Sequence, residues 1–193
     1  PGGVKMQAVE NLKPISATDH SRGNPAAPLK MVEYSDLQCP FCKLFHQSML
    51  SLYPEYIDGG KVFWVYRHFP LVTIHENAQG LAIASECAFK QKGEEGFWKI
   101  VNGVFGDTAQ KYDMTKLPTL AKDSGLNVSK FVKCAANKET ASIVDSDALD
   151  AAKMGINGTP YAVIIAPSGK TFPINQAYSP NDLRAIFDAL ATQ

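Results

Sequence analysis

Strand-forming sequence occurs in two separate blocks of this chain, and roughly eighty residues of helical periodicity lie between them. The first block holds "LKMVEYSD" (29–36) and "KVFWVYRHF" (61–69). Between them Phe41, Leu44, Phe45, Met49 and Leu52 recur at helical spacing until Asp58-Gly59-Gly60. That order is β–α–β, the unit that builds parallel sheets. The second block holds "YAVIIA" (161–166), a "PSGK" turn and "TFPI" (171–174), the pattern of a hairpin. A last helix opens with Ser179 as N-cap, Pro180 at the first helical position and Asp182 three residues after the cap. Leu183, Ile186, Phe187 and Leu190 supply its apolar face.

The intervening stretch shows helical stripes punctuated by glycine. Ala78, Leu81, Ala82, Ser85 and Phe89 form one, with Gly93 as C-cap; Phe97, Val101, Val104 and Phe105 form the next, ending at Gly106. Leu117, Leu120 and Ala121 run to Gly125, Val128, Phe131 and Val132 follow, and Ile143, Val144, Ala148, Ala151 and Met154 close the set. The first 28 residues are loop-like, rich in Pro, Gly, Asn and Asp. Three units result: an arm over 1–28, an α/β domain from 29–70 and 155–193, and a helical insertion over 71–154. The composition, 45 % hydrophobic and 20 % charged, suits a packed core. Nineteen basic residues against nineteen acidic ones argue against a nucleic-acid binder. No apolar run reaches the roughly eighteen residues of a membrane span. The opening "PGGVKMQAVE" reads as a mature start from which any export signal is already gone.

Between the first strand and helix stands "YSDLQCPFCKLFH" (34–46), holding Cys39 and Cys42; Cys87 and Cys134 stand alone. A metal site needs a second ligand pair at suitable spacing, and neither the lone cysteines nor the histidines at 20, 46, 68 and 75 offer one. A C-x-x-C loop is also too short to remove much unfolded-state entropy as a structural crosslink. Redox chemistry fits the placement. Cys39 falls at a helix start and Pro40 in its first turn. A thiolate there faces unpaired backbone N–H groups and the positive end of the helix dipole, which lower its pKa and make it a good leaving group. Cys42, one turn further in, is expected to be more buried and to resolve mixed disulfides.

Taken together, "GNPAAPLKMVEYSDLQCPFCKLFH", "VYRHFPL", "HENAQGLAIASECAFKQ" with "GFWKIVNGVF", and "MGINGTPYAVII" resemble the DsbA-like branch of the thioredoxin superfamily, in the family's order from Gly23 to Ile165. The resemblance implies a thioredoxin fold, a central mixed sheet with flanking helices, interrupted by the helical insertion. It implies Cys39 as exposed nucleophile and Cys42 as its buried partner. Pro160 would be a cis-proline facing the cysteines, helping with Thr159 to hold substrate backbone, and Glu33 the buried acid relaying a proton for Cys42. Two departures stand out. The dipeptide between the cysteines is Pro-Phe rather than Pro-His, so no imidazole adds charge beside the thiolate and a milder activation is expected. Thr159 also resembles the residue of disulfide isomerases at that position.

For Cys87 and Cys134 two readings stand: buried free thiols packed as small hydrophobes, or a structural disulfide of the kind some DsbA-like proteins carry in this block, which an oxidising compartment permits. His46 is expected to be a partly exposed helix residue; His75 to help start the inserted helix; His68 to have no visible partner. Arg67 is a candidate neighbour of Glu33. Phe41 and Leu37 flank the cysteines and suggest an apolar surface for unfolded chains. The reading as a whole is a periplasmic or extracytoplasmic dithiol oxidase with no metal or organic cofactor. Its expected substrates are unfolded or reduced cysteine-containing proteins, a DsbB-type membrane oxidase would recycle it, and a monomer that binds no nucleic acid is expected. The alternatives are a disulfide isomerase or reductase of the same fold, and a chaperone or metal-delivery module using the pair as ligands.

Overall fold

The computed structural model describes Val9, residues 11–109 and residues 111–193; the opening "PGGVKMQA" lies outside the described residues. Strands β1 (His20–Arg22), β2 (Leu29–Ser35), β3 (Val62–His68), β4 (Tyr161–Ile165) and β5 (Thr171–Ile174) form one mixed sheet in the order β1-β3-β2-β4-β5. Strands β2 and β3 are parallel, and the other pairs antiparallel. Helix α1 (Pro40–Leu52) and a π turn over Tyr53–Ile57 make the crossover between β2 and β3. Both crossover strands are buried on both faces, which is why β3 opens with the unbroken apolar run VFWVY, while β2 buries Glu33 and Ser35 among its apolar residues.

The arm proposed over 1–28 is not separate from the sheet. His20–Arg22 pairs antiparallel with Trp64–Tyr66 and forms the edge strand. Three residues are too few to leave a period in the sequence; the pairing partner alone defines them.

Between β3 and β4 come α2 (Ala78–Gly106), α3 (Leu117–Asp123), α4 (Val128–Ala136) and α5 (Ala141–Lys153). Helix α2 breaks at Lys92–Gly93, where Gly93 takes φ +58°, a conformation that suits glycine. Phe89, Val132 and Ile143, expected on buried stripes, are exposed at 38 %, 43 % and 43 %, although Phe89 still meets the His20 ring edge-on at 4.8 Å. The last helix, α6 (Pro180–Leu190), is capped by Ser179, whose hydroxyl accepts from the Asp182 N–H. It packs on α1 through Phe187 and Leu183, while Tyr56 donates to Asp188 at 2.7 Å.

The sheet separates two cores. Met31, Trp64, Tyr66 and Ile164 face α1 and α2, whereas Val32, Tyr34, Val65 and Ile156 face the side covered by α5. Side chains alternate faces along a strand, so Glu33 shares the first face and Arg67 the second. Arg67 therefore does not approach Glu33. It donates to Asp19 at 2.7 Å, to Tyr34 Oη at 2.9 Å and to Asp150 at 3.1 Å.

Candidate active site

Cys39 is the N-cap of α1, with extended φ −75° and ψ 123°, and Pro40 follows in the first turn. The cap makes no side-chain hydrogen bond of its own, so the first-turn N–H groups are available to the sulfur. The Cys39 thiol is held at about 6, below its ordinary value. The Cys42 thiol donating to it is the main cause; burial opposes it, and Thr159 with the Phe41 and Cys42 N–H groups adds to it. Burial and the neighbouring Cys39 sulfur push the Cys42 thiol well up. The two sulfurs thus hold one proton unequally, on Cys42.

The expected contrast in exposure is smaller than the contrast in acidity. Cys39 is 4 % exposed and Cys42 0 %, so the presumed open nucleophile is nearly covered. The reason lies across the site. Thr159-Pro160 is a cis peptide, and its loop lies over Cys39, with the sulfur 3.5 Å from the Thr159 carbonyl oxygen. Phe41, by contrast, is 60 % exposed, as are Leu44 at 52 %, Val72 at 56 % and Ile74 at 71 %, while Leu37 is buried.

Glu33 on β2 is fully buried. Its Oε2 accepts from Trp64 Nε1 at 2.8 Å, and its Oε1 has no partner. Burial pushes its carboxyl up to about 7, against the pull of Ser35 and the Trp64 N–H. Glu33, Cys42 and Asp36 all act on the Tyr66 hydroxyl, whose ionisation burial and these three groups suppress. Glu33 and Cys42 are therefore both neighbours of Tyr66.

Asp36, three residues before Cys39, is a structural hub that the sequence reading missed. Its Oδ1 accepts the Gln38 N–H at 2.7 Å; its Oδ2 accepts the Leu71 N–H at 2.9 Å and faces His75 Nδ1 at 2.7 Å. Its own N–H points at Cys42 Sγ, 3.4 Å away. Gln38 Oε1 in turn accepts the Asn77 N–H at 2.7 Å. These bonds fasten the cysteine loop to residues 71–77, the segment carrying Val72 and Ile74. An acidic residue inside the otherwise uncharged run "YSDLQC" is the signal that could have marked it.

The histidines depart from expectation. His46 is not partly exposed but buried; it faces Asn102 Oδ1 at 2.9 Å and packs near Trp64, Trp98 and Phe105. Burial pushes it down to about 4, so it is neutral at pH 7. His68 has a partner, Glu86, at 3.1 Å. Far from the C-x-x-C in sequence, Cys87 on α2 and Cys134 on α4 are joined by a disulfide spanning a sequence separation of 47. Cys39 and Cys42 are free thiols.

The family model described as Thioredoxin matches residues 16–189, nearly the whole described chain. The chain belongs to the thioredoxin family. Within that family it is DsbA-like: it resembles the crystal structure of Wolbachia pipientis α-DsbA1 with a TM-score of 0.78 and 27 % identity, covering 96 % of each chain. Oxidised BdbD from Bacillus subtilis shares the fold, with a TM-score of 0.76 and 22 % identity over 91 % of this chain and 94 % of that one. Among curated relatives, a probable disulfide bond formation protein D of Bacillus anthracis is 30 % identical over 151 residues, 75 % of this chain and 68 % of that protein. The Na(+)/H(+) antiporter NhaA 1 of Mycolicibacterium gilvum is 34 % identical over 166 residues, 83 % of this chain. The chain spans about a quarter of that relative's length, 25 %. Among the described residues of this thioredoxin-family chain, no helix is long and apolar enough to cross a membrane.

Proposed function

We propose that the chain is an extracytoplasmic thiol–disulfide oxidase of DsbA type, with Cys39 and Cys42 as its working pair. The observation that carries the reading is the split between the two thiols, Cys39 held down at about 6 and Cys42 pushed well up. A stabilised Cys39 thiolate favours the reduced protein, which makes the disulfide form a stronger oxidant. The Cys87–Cys134 disulfide fits an oxidising compartment.

In the oxidised protein a substrate thiolate attacks Cys39 Sγ. The Cys39–Cys42 bond breaks, and its electron pair leaves on Cys42, which takes a proton. In this reading Glu33, with a carboxyl near 7, supplies that proton and later recovers one from solvent. A second thiolate of the substrate then attacks the substrate sulfur of the mixed disulfide and displaces Cys39 as a thiolate. The substrate leaves with one disulfide, having passed two electrons to the pair. A membrane oxidase of DsbB type would accept those electrons and restore the disulfide. Phe41, Leu44, Val72 and Ile74 offer an exposed apolar rim for unfolded chains, and the Thr159-Pro160 loop a backbone contact.

Stoichiometric oxidised protein mixed with reduced, unfolded ribonuclease tests this reading. Rapid loss of free thiols from the ribonuclease is the expected result. Failure to oxidise it, together with efficient reshuffling of scrambled ribonuclease by the reduced protein, would assign an isomerase instead.

A further inference from the structure

His20 on β1, His68 at the end of β3 and Glu86 in the first half of α2 are distant in sequence and meet in the interior, at 4 %, 1 % and 1 % exposure. Nε2 of His20 lies 2.7 Å and Nε2 of His68 3.1 Å from the same atom, Glu86 Oε1. All three atoms fall within 4.8 Å of one another. Two imidazoles aimed at one carboxylate oxygen can form a closed hydrogen-bond network, so convergence alone does not decide between a network and a metal site.

Three further observations favour a cation. Nδ1 of His20 faces Glu94 Oε1 at 3.0 Å, the outer carboxylate with which metal-bound histidines are commonly oriented. The rings are also fixed in place: His20 stacks on Phe97 with centroids 3.6 Å apart and planes 10° apart, and His68 meets Phe97 edge-on at 5.7 Å. A cavity of about 500 Å³, lined by His20, Glu86, Tyr66 and Asp147 among others, opens onto two of the three groups and gives an ion a path to them.

We propose that His20, His68 and Glu86 form a binding site for one divalent transition-metal ion of the zinc class. Two imidazoles and a carboxylate select such an ion over calcium or magnesium, which prefer sets made of oxygen. Metal–ligand bonds of roughly 2.0–2.2 Å in a tetrahedral arrangement put neighbouring ligand atoms about 3.3 Å apart. When each Nε2 exchanges its proton for the metal, the His68 contact to Glu86 Oε1 therefore opens by about 0.2 Å and the His20 contact by about 0.6 Å. Glu86 and Glu94 together supply two negative charges to match the ion. The role is structural: the ion ties edge strand β1 and the end of β3 to the helical block, one residue from the Cys87–Cys134 crosslink.

The test uses the whole chain with Cys39 and Cys42 closed as a disulfide, so that their thiolates cannot take the metal. Zinc chloride is titrated into chelator-stripped protein by calorimetry, and cobalt(II) is added in parallel as a spectroscopic probe. One zinc per chain is expected, with a Kd below about 10 μM. Cobalt should give the visible bands of a four-coordinate nitrogen and oxygen site without thiolate charge transfer. His68→Gln should abolish this binding. Glu94→Gln, which keeps all three ligands and an amide oxygen that can still accept from the Ser21 and Trp98 N–H groups, should weaken it about 10- to 100-fold. Absence of saturable binding, a weaker Kd, or a Glu94→Gln variant that binds zinc as tightly as the parent would overturn the proposal.

Discussion

Replacing Glu33 with glutamine keeps the shape of a buried side chain and removes its ability to ionise. In the folded protein the carboxyl titrates at about 7, against an ordinary value of 4.5. Burial on the central strand is the cause, outweighing the opposing pull of Ser35 and of the Trp64 N–H. Between those two pH values the folded chain holds a proton that the unfolded chain has released, so stability falls as pH rises. The gap of about 2.5 units, at about 1.4 kcal/mol each, amounts to about 3 kcal/mol, fully expressed above pH 7 and absent below 4.5. Glutamine does not titrate. The stability difference between Glu33→Gln and the parent should therefore be constant below pH 4.5, then grow in favour of the variant until it has widened by about 3 kcal/mol at pH 8. Urea unfolding across this range, on protein with both disulfides closed, reads the difference directly. The groups that shift Glu33 are burial, Ser35 and Trp64 rather than the thiols, so the oxidised state is a fair test. A difference that stays flat with pH, or that shrinks toward pH 8, would refute the burial argument.

Three other expectations concern the same site. Cys42→Ala removes the thiol that does most to hold Cys39 down. A hydrogen bond to a charged group is worth about 1.5–3 kcal/mol, so the Cys39 pKa should rise by about 1–2 units, read from the pH dependence of its alkylation by iodoacetamide; an unchanged value would assign the shift to the helix start alone. Phe41→Ala removes a side chain that is 60 % exposed, so stability should stay within about 0.5 kcal/mol. Oxidation of an unfolded protein should slow severalfold while reaction with glutathione does not, and equal slowing of both would remove Phe41 from substrate contact. Asp36→Ala leaves Gln38 N–H, Leu71 N–H and the His75 ring without their acceptor. At about 1–3 kcal/mol per orphaned buried donor, a loss of at least about 2 kcal/mol in chemical denaturation is expected; a smaller loss would mean that water replaces the carboxylate.

What the sequence made legible follows from how local each feature is. Strand β3 is visible because burial on both faces leaves the apolar run VFWVY, β2 because a short apolar segment leads straight into the C-x-x-C, and α6 because Ser179, Pro180 and Asp182 signal its start within four residues. Cys39 at the strand-to-helix junction is legible for the same reason. The features that were not legible depend on partners distant in sequence. His20–Arg22 becomes a strand only through pairing with Trp64–Tyr66. His46 sits at a position whose burial is decided by Trp98 and Phe105 on α2. The Arg67 neighbourhood turns on register: β2 and β3 pair so that Glu33 stands opposite Tyr66 and Tyr34 opposite Arg67. A slip of one residue would have exchanged the faces. The convergence of His20 and His68 on Glu86 likewise needs β1, β3 and α2 to be assembled first.

The central claim is that the Cys39–Cys42 disulfide is an oxidant, and its equilibrium with glutathione buffers measures that directly. Reported potentials run from near −270 mV for thioredoxin to near −120 mV for DsbA, a span worth about 7 kcal/mol. A potential above about −160 mV, measured with Cys87–Cys134 mapped in the same samples, is the result expected of an oxidase. A potential close to that of thioredoxin would contradict the account and leave the pair to a reductase or an isomerase.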